Sequence, residues 1–267
     1  MNWNIYLPQT PYLQNVMQVL WQADGFPVNQ QETIIPKGVV EIIFDFGESR
    51  AIQFQFPAQY QLPQVFINGF NSAPIRLQHP RGQVLLGVHL HSTVIKSLFG
   101  IPPQEFANRT VDMTLIDACF QRLWHQMAEQ TSFAQRVAII VNWLESKKVE
   151  VQAQEKMLQH FLIKPDQVGQ SVTSLAKSLC YSSRHLSRKI YALTDMNTEE
   201  LLCYKKYLYS IQLMHATDFS LTEIAHECNF VDQSHFIKTF KTFAQLTPGE
   251  YRSKKSLVPG HLYENVR

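Results

Sequence analysis

The strongest constraint on this chain is a pattern that occurs twice near its C-terminus. The stretch Leu221-Thr222-Glu223-Ile224-Ala225-His226-Glu227-Cys228-Asn229-Phe230 spaces its apolar residues as one short helix and then meets a turn at Asn229. A second helix follows, with Phe236 and Phe240 inward and Gln233, Ser234, His235, Lys238 and Thr239 left for an outward face. Two short helices joined by a turn, the second presenting polar and basic side chains, form the pattern of a helix-turn-helix reader of DNA. Upstream, residues 171–181 reproduce the first helix and turn at an offset of 49, with Leu175-Ala176 on Ile224-Ala225 and Tyr181 on Phe230. The downstream copy holds one more residue in its turn, so Leu186, Arg188 and Ile190 fall on Phe236, Lys238 and Phe240 at an offset of 50. Repetition at this period predicts two such units in tandem.

In the upstream unit Ser182 or Ser183 suits the N-cap of a helix running to about Leu193, with Leu186 and Ile190 inward. Residues 199–216 are predicted as one long spacer helix, apolar at Leu202, Tyr207, Ile211 and Met214. Its length, about 27 Å at 1.5 Å per residue, suits two recognition helices about one turn of DNA apart, roughly 34 Å. Arginine and lysine can address guanine and glutamine suits adenine, so base contacts are expected from Arg184, Ser187 and Arg188 in one unit and Gln233, Ser234 and Lys238 in the other. His185, Lys189, His235, Thr239 and Lys241 are expected on phosphates, which position without specifying. Ala176, Leu186, Ile224, Ala225, Phe236 and Phe240 are expected to be packing.

The remainder reads as what supports or controls these units. With 267 residues, one or two domains are expected, and 45% hydrophobic against 17% charged residues permits a sizeable core. Residues 1–170 hold 12 Lys and Arg against 13 Asp and Glu, whereas residues 171–267 hold 12 against 9 plus five histidines. That asymmetry permits a DNA-binding C-terminal part but is weaker than a non-specific nucleic-acid coat. The N-terminal part opens with a predicted helix over residues 11–23, carried by Leu13, Val16, Met17, Leu20 and Trp21. Strands are predicted over 41–47, 51–56, 65–70, 75–77 and 84–90, and helices near 92–99, 114–129, 132–146 and 150–163. Lys164-Pro165-Asp166-Gln167-Val168-Gly169-Gln170 marks the boundary. The expected fold is α+β: a small β-sandwich or barrel-like N-terminal domain with helices (1–165), an all-α domain of two helix-turn-helix units joined by a long helix (166–255), and a tail (256–267).

Several function classes find little support. No apolar run approaches the ~20 residues that cross a bilayer, and no basic segment followed by an apolar one opens the chain. Cys119, Cys180, Cys203 and Cys228 lie far apart without a C-x-x-C pair, which points to a reduced, cytoplasmic protein without zinc knuckle or disulfide framework. His89-x-His91, with His79, invites a metal-site reading, because residues two apart share a strand face; without a carboxylate from residue 92 to 100, a solvated or pocket-lining face is expected instead. Glu41 and Asp45 share a strand face and are expected at the surface. The many aromatics of residues 42–70 are expected in the core, with a lined pocket as the second reading. No G-x-S-x-G, Walker, Rossmann or H-E-x-x-H pattern is present, so no catalytic residue and no cofactor is expected.

Over about 80 residues the chain resembles the DNA-binding domain of the AraC/XylS family of bacterial transcription regulators. The resemblance rests on Ile224-Ala225, Asn229-Phe230-x-Asp232-Gln233-Ser234-His235-Phe236-x-Lys238-x-Phe240-Lys241, and Thr247-Pro248-x-x-Tyr251-Arg252. Upstream it rests on Leu175-Ala176, Ser182-x-Arg184-His185-Leu186-Ser187-Arg188 and Lys206-Tyr207-x-x-Ser210-x-x-Leu213-Met214. Asn229, Asp195 and Gln245 stand where the family has glycine, Thr198 where it has proline, and Ile190 where it has phenylalanine. The first unit therefore departs further, which makes residues 233–238 the expected main reader. Ile35-Pro36-Lys37-Gly38-Val39-Val40-Glu41-Ile42-Ile43-Phe44, Leu86-Gly87-Val88-His89-Leu90 and Leu98-Phe99-Gly100-Ile101-Pro102 look like a sensor-type domain found ahead of such modules. The resemblance implies a sequence-specific transcription regulator with double-stranded DNA, a small-molecule effector, RNA polymerase and a second copy of the chain as partners, and no membrane. The alternatives are a constitutive DNA-binding protein with a purely dimerising N-terminal domain, and a DNA-modifying enzyme with an appended reader.

Overall fold

The computed structural model describes residues 2–26, 30–55 and 58–265; Met1, Phe56, Val266 and Arg267 lie outside them. The first part comprises β1 (Asn2–Tyr6), α1 (Pro11–Val16), β2 (Met17–Asp24), β3 (Gln30–Ile34), β4 (Val40–Asp45), β5 (Ile52–Gln55), β6 (Ala58–Gln61), β7 (Val65–Asn68), β8 (Ile75–Gln78) and β9 (Val84–Leu90). Then come α2 (Ile95–Phe99), β10 (Thr110–Asp112), α3 (Cys119–Ala128), α4 (Phe133–Ser146) and α5 (Ala153–Ile163). The C-terminal part holds α6 (Val172–Ser178), α7 (Ser183–Thr194), α8 (Thr198–Ala216), α9 (Leu221–Glu227), α10 (Gln233–Ala244), α11 (Pro248–Lys254) and β11 (His261–Asn265).

Among the described residues the strands form a six-stranded antiparallel sheet, β1-β2-β9-β4-β7-β10, and a five-stranded one, β11-β3-β8-β5-β6. Each sheet keeps its edge strands, so the domain is an open sandwich rather than a closed barrel. The two-residue strand period sorts side chains between faces. Val40, Ile42 and Phe44 of β4, Leu86, Val88 and Leu90 of β9, and Val65 and Ile67 of β7 enter the main core beneath the helices. Ile43, Leu85 and Phe66, on the opposite face of the same strands, meet Leu77 of the second sheet in a smaller cluster. At Gly87 an added Cβ would fall 2.3 Å from the Trp21 ring, so the bare backbone is what lets the indole lie across β9.

Residues 11–23, expected as one helix, divide into α1 and β2. Leu13, Val16 and Leu20 are buried at a helix-like spacing, but from Met17 onward the backbone pairs with β1 and β9. The two partner strands supply more than a local helix could, and long-range pairing overrides short-range periodicity. Strands β1, β3, β6, β10 and β11 add to the strands that patterning predicts. Residues 92–99 form a 3₁₀ turn (Ser92–Val94) followed by α2, and the helix expected from residue 114 starts at Cys119 after another such turn (Met113–Leu115).

The tandem repeat is present. Helices α6 and α9 start 49 residues apart and α7 and α10 start 50 apart. The extra residue is Val231, 85% exposed, which separates Phe230 from its N-cap Asp232, whereas Tyr181 leads directly into N-cap Ser182. Both turns use a left-handed residue, Cys180 (φ 56°) and Asn229 (φ 58°), and both second helices end on one, Asp195 (φ 58°) and Gln245 (φ 57°). The turn therefore keeps its geometry without glycine. The spacer α8 begins with a capping box, Asn197 with Glu200.

Helix α8 is also the main seam with the sandwich. The Tyr204 hydroxyl donates to the Asn71 carbonyl (3.0 Å) and the Tyr207 hydroxyl to the Pro36 carbonyl (3.2 Å). The Lys205 ammonium donates to the carbonyls of Phe161 and Lys164, and burial lowers its pKa to about 8. Residues 256–267, set apart in the sequence as a tail, carry β11, which pairs with β3 from His261↔Ile34 to Asn265↔Gln30. Among the described residues no helix is long and apolar enough to cross a membrane.

Candidate nucleic-acid interface and inter-sheet cavity

Each recognition helix is started by a side-chain cap: Ser182 accepts from the His185 amide (3.2 Å) and Asp232 from the His235 amide (2.7 Å). Leu186, Ile190 and Leu193 of α7, and Phe236, Phe240 and Phe243 of α10, anchor the inner faces. That leaves matching outward stripes at i, i+4 and i+7. On α7 it is Arg184, Arg188 and Tyr191; on α10 it is Ser234, Lys238 and Lys241, all exposed. Gln233 is exposed at the start of α10, within 3.4 Å of the Thr222 hydroxyl. Among the described residues no ion pair ties Arg184, Arg188, Lys238 or Lys241, so these cations stand available to an external polyanion.

Other sequence-selected residues sit differently. Thr239, expected on the outward face, is buried at 8% exposure, because it lies one turn from Phe236 and beside Phe240. Lys189 holds the equivalent position in the first unit; it is half-buried and bound to Glu155 of α5 at 2.7 Å. Ser187 is half-buried and accepts from the Thr198 hydroxyl (3.0 Å). His185 packs edge-on against Tyr181 and His235 against Phe230, with ring centroids 5.0 and 5.4 Å apart, so each braces its own turn. Tyr191, 51% exposed in the stripe, was not anticipated; its homology to Lys241 at the offset of 50 is the signal that marks it. His185, Arg188 and Lys189 also line a groove with Thr93, Lys96, Pro102, Pro103 and Gln104 of the N-terminal part.

A second feature lies between the sheets. A narrow cavity, with about 880 Å³ of void including its mouth, is walled by Trp21, Ile43, Phe66, Leu77 and Leu85, with Lys37 at its side. A chain of buried polar groups crosses it. Glu32 accepts from His79 Nε2 and His261 Nδ1, each at 2.6 Å; His79 Nδ1 meets Gln83 Oε1 at 2.5 Å; Gln83 donates to Asp45 at 2.7 Å. Burial opposes the Glu32 charge, but the two imidazole donors outweigh it and hold the carboxyl well below its usual range. Burial and the nearby Lys37 push His261 down, which leaves its Nε2 to accept from Lys37 Nζ at 3.4 Å. Burial pushes Asp45 up despite its hydrogen bonds.

Glu41 and Asp45, expected at the surface, are buried at 5% and 1% exposure, because β4 is covered on both faces. Glu41 accepts from Trp21 Nε1 (2.6 Å) and pairs with His89 Nε2 (2.6 Å); burial raises its pKa, yet His89 and Lys37 bring it to about 2. His91 stands past the end of β9, and its Nε2 donates to the Gln14 carbonyl at 3.0 Å. His89 and His91 therefore face different partners. Among the described residues no group of three or more His, Cys, Asp or Glu could hold a metal ion.

Residues 175–254 match the family described as Helix-turn-helix domain, and residues 5–112 match a domain of unknown function (DUF6597). The chain is 22% identical over 151 residues to the uncharacterized HTH-type transcriptional regulator YijO of Escherichia coli strain K12, covering 57% of this chain and 47% of YijO. To the HTH-type transcriptional activator RhaS of Salmonella arizonae it is 27% identical over 86 residues, covering 32% of this chain and 31% of RhaS. The chain thus spans less than half the length of these curated relatives. Among solved structures, ToxT of Vibrio cholerae is similar with a TM-score of 0.47 at 13% identity, covering 94% of this chain and 97% of ToxT.

Proposed function

Because residues 175–254 form an AraC-type helix-turn-helix domain, we propose that the chain is a sequence-specific DNA-binding transcription regulator whose N-terminal sandwich senses a small molecule. The observation that carries this reading is the pair of outward stripes, repeated at an offset of 50 and free of ion pairs among the described residues. A 19-residue spacer, about 28 Å long, suits entry of both helices into successive major grooves. In this reading Arg184, Arg188, Gln233, Ser234 and Lys238 address base edges, with Tyr191 and Lys241 on the flanking backbone. The sensor domain spans 1–165 and the DNA-binding domain 166–255. The ligand that suits the cavity is mainly apolar, with an acceptor or anionic group toward Lys37.

Selection of bound sequences from random DNA with the full chain, followed by affinity against salt, tests the reading; enrichment of no motif would overturn it. With the enriched sequence, Arg188→Ala is expected to cost about 1–3 kcal/mol and to relax preference at one base step. Lys241→Ala is expected to weaken all sequences alike and to reduce the salt slope by about 1. Lys189→Ala should leave that slope unchanged, since its charge is already met by Glu155; a slope change equal to that of Lys241→Ala would place Lys189 on DNA after all.

A further inference from the structure

The inter-sheet cavity is completed by a residue that follows the DNA-binding domain in sequence. His261 opens β11, is 7% exposed, and stands between Glu32 and Lys37 in the cavity wall. Its strand is the edge of the smaller sheet, pairs there with β3, and carries Glu264, which meets the Lys254 ammonium of α11 at 2.8 Å. Immediately before it, the Gly260 carbonyl accepts from the Ile35 amide (2.9 Å) and the Gly260 amide donates to the Tyr251 hydroxyl (3.0 Å). Tyr251 belongs to α11, is fully buried, lies tilted against Phe240 of the second recognition helix (ring centroids 5.6 Å apart) and meets His215 of the spacer at 2.8 Å. A short path therefore runs from the cavity wall to the second reading unit. The loop that carries Lys37 also receives the Tyr207 hydroxyl at Pro36, and an added Cβ at Gly38 would lie 2.8 Å from Leu208 of the same spacer.

We propose that β11 is a latch between sensor and reader, in which His261 is a wall residue of the ligand cavity and a ligand that displaces it releases the DNA-binding module. The inference rests on the reading of the chain as a sequence-specific DNA-binding regulator. A molecule that offers an acceptor to Lys37 competes with His261 Nε2 for the same ammonium. The latched state is the restrained one, because in it α7 lies along residues 102–104, with Lys189 held by Glu155 and Arg188 lining the groove. Release of the strand frees the module to shift away from that groove.

Gln31 and Glu264 are directly paired residues of β3 and β11, so Gln31→Cys with Glu264→Cys in the full chain can lock the latch by a disulfide. The probe is the DNA sequence enriched by selection on the wild-type protein, with each single-cysteine variant as control for the four native thiols. The oxidised double variant is expected to bind that DNA at least about fivefold more weakly than its reduced form, while the single variants do not respond to oxidation. Removal of residues 256–267 is expected to shift affinity the opposite way. Equal or tighter binding by the locked form, with wild-type binding intact, overturns the latch alone. Failure of the wild-type protein to enrich any sequence overturns the regulator reading and the latch together.

Discussion

Phe240→Ala is expected to unfold the C-terminal module before it changes any base preference, at a cost of about 3–5 kcal/mol. The ring is fully buried and sits between Tyr207 (5.2 Å), Tyr251 (5.6 Å) and Phe236 (6.0 Å), three aromatic groups from three different helices. Neither tyrosine can collapse into the void without breaking its hydroxyl contact, Tyr207 to Pro36 or Tyr251 to His215. The equivalent Ile190 is as fully buried, and Ile190→Val, which removes a single methylene, is expected to cost only about 0.5–1.5 kcal/mol. All four tryptophans lie in the N-terminal domain. Urea denaturation followed by circular dichroism and by tryptophan emission therefore separates the two parts. In Phe240→Ala the helical signal should be lost at lower urea than in the wild type, with the tryptophan transition shifted less. An unchanged helical midpoint would refute this account of the core.

The same residue shows why the C-terminal half was legible. The inward positions recur at helical spacing and recur again one repeat later, so in the sequence alone the two copies constrain each other. The repeat also marks the flank of each recognition helix that turns inward. Thr239 is three residues beyond Phe236, which places it toward the inner flank, and Lys189 shares that position in the other copy. The N-terminal domain was harder for a physical reason. Strands such as Gln30–Ile34 and Ala58–Gln61 are polar, and they form because a neighbour supplies hydrogen bonds rather than because their own residues demand burial. Residues 11–23 carried a true apolar spacing, but the partners that turned half of it into β2 come from residues 2–6 and 84–90. Glu41 and Asp45 looked like surface carboxylates because local patterning cannot tell that β4 is covered on both faces. The contact of Glu32 with His261 spans 229 residues, and no local signal could announce it.

Glu32→Ala is expected to cost about 3–5 kcal/mol at neutral pH, because it leaves two buried imidazole donors without their acceptor. Glu32 is 2% exposed, and its two oxygens each serve one histidine, His79 on the sandwich and His261 on β11. Glu32→Gln keeps the volume and one acceptor, so a smaller loss is expected. The effect depends on pH with a fixed sign. The folded carboxyl titrates well below the ordinary value of 4.5, so the wild type holds the full contribution above that value and loses it as the pH falls toward the folded pKa. Glu41, brought to about 2, adds to the same acid limb in wild type and variant alike. His91 and His261, depressed by burial, add a loss that begins earlier, as the pH falls through 6.5 and the unfolded chain takes up protons first. The urea midpoints of wild type and Glu32→Ala should therefore stay apart down to about pH 4.5, the ordinary carboxyl value, and converge only below it. A gap that stayed constant or widened below pH 4.5 would mean that the carboxylate does not hold its two histidines as the geometry implies. The latch would then lose its anchor on the sensor side, because His261 reaches the cavity wall through that carboxylate and Lys37.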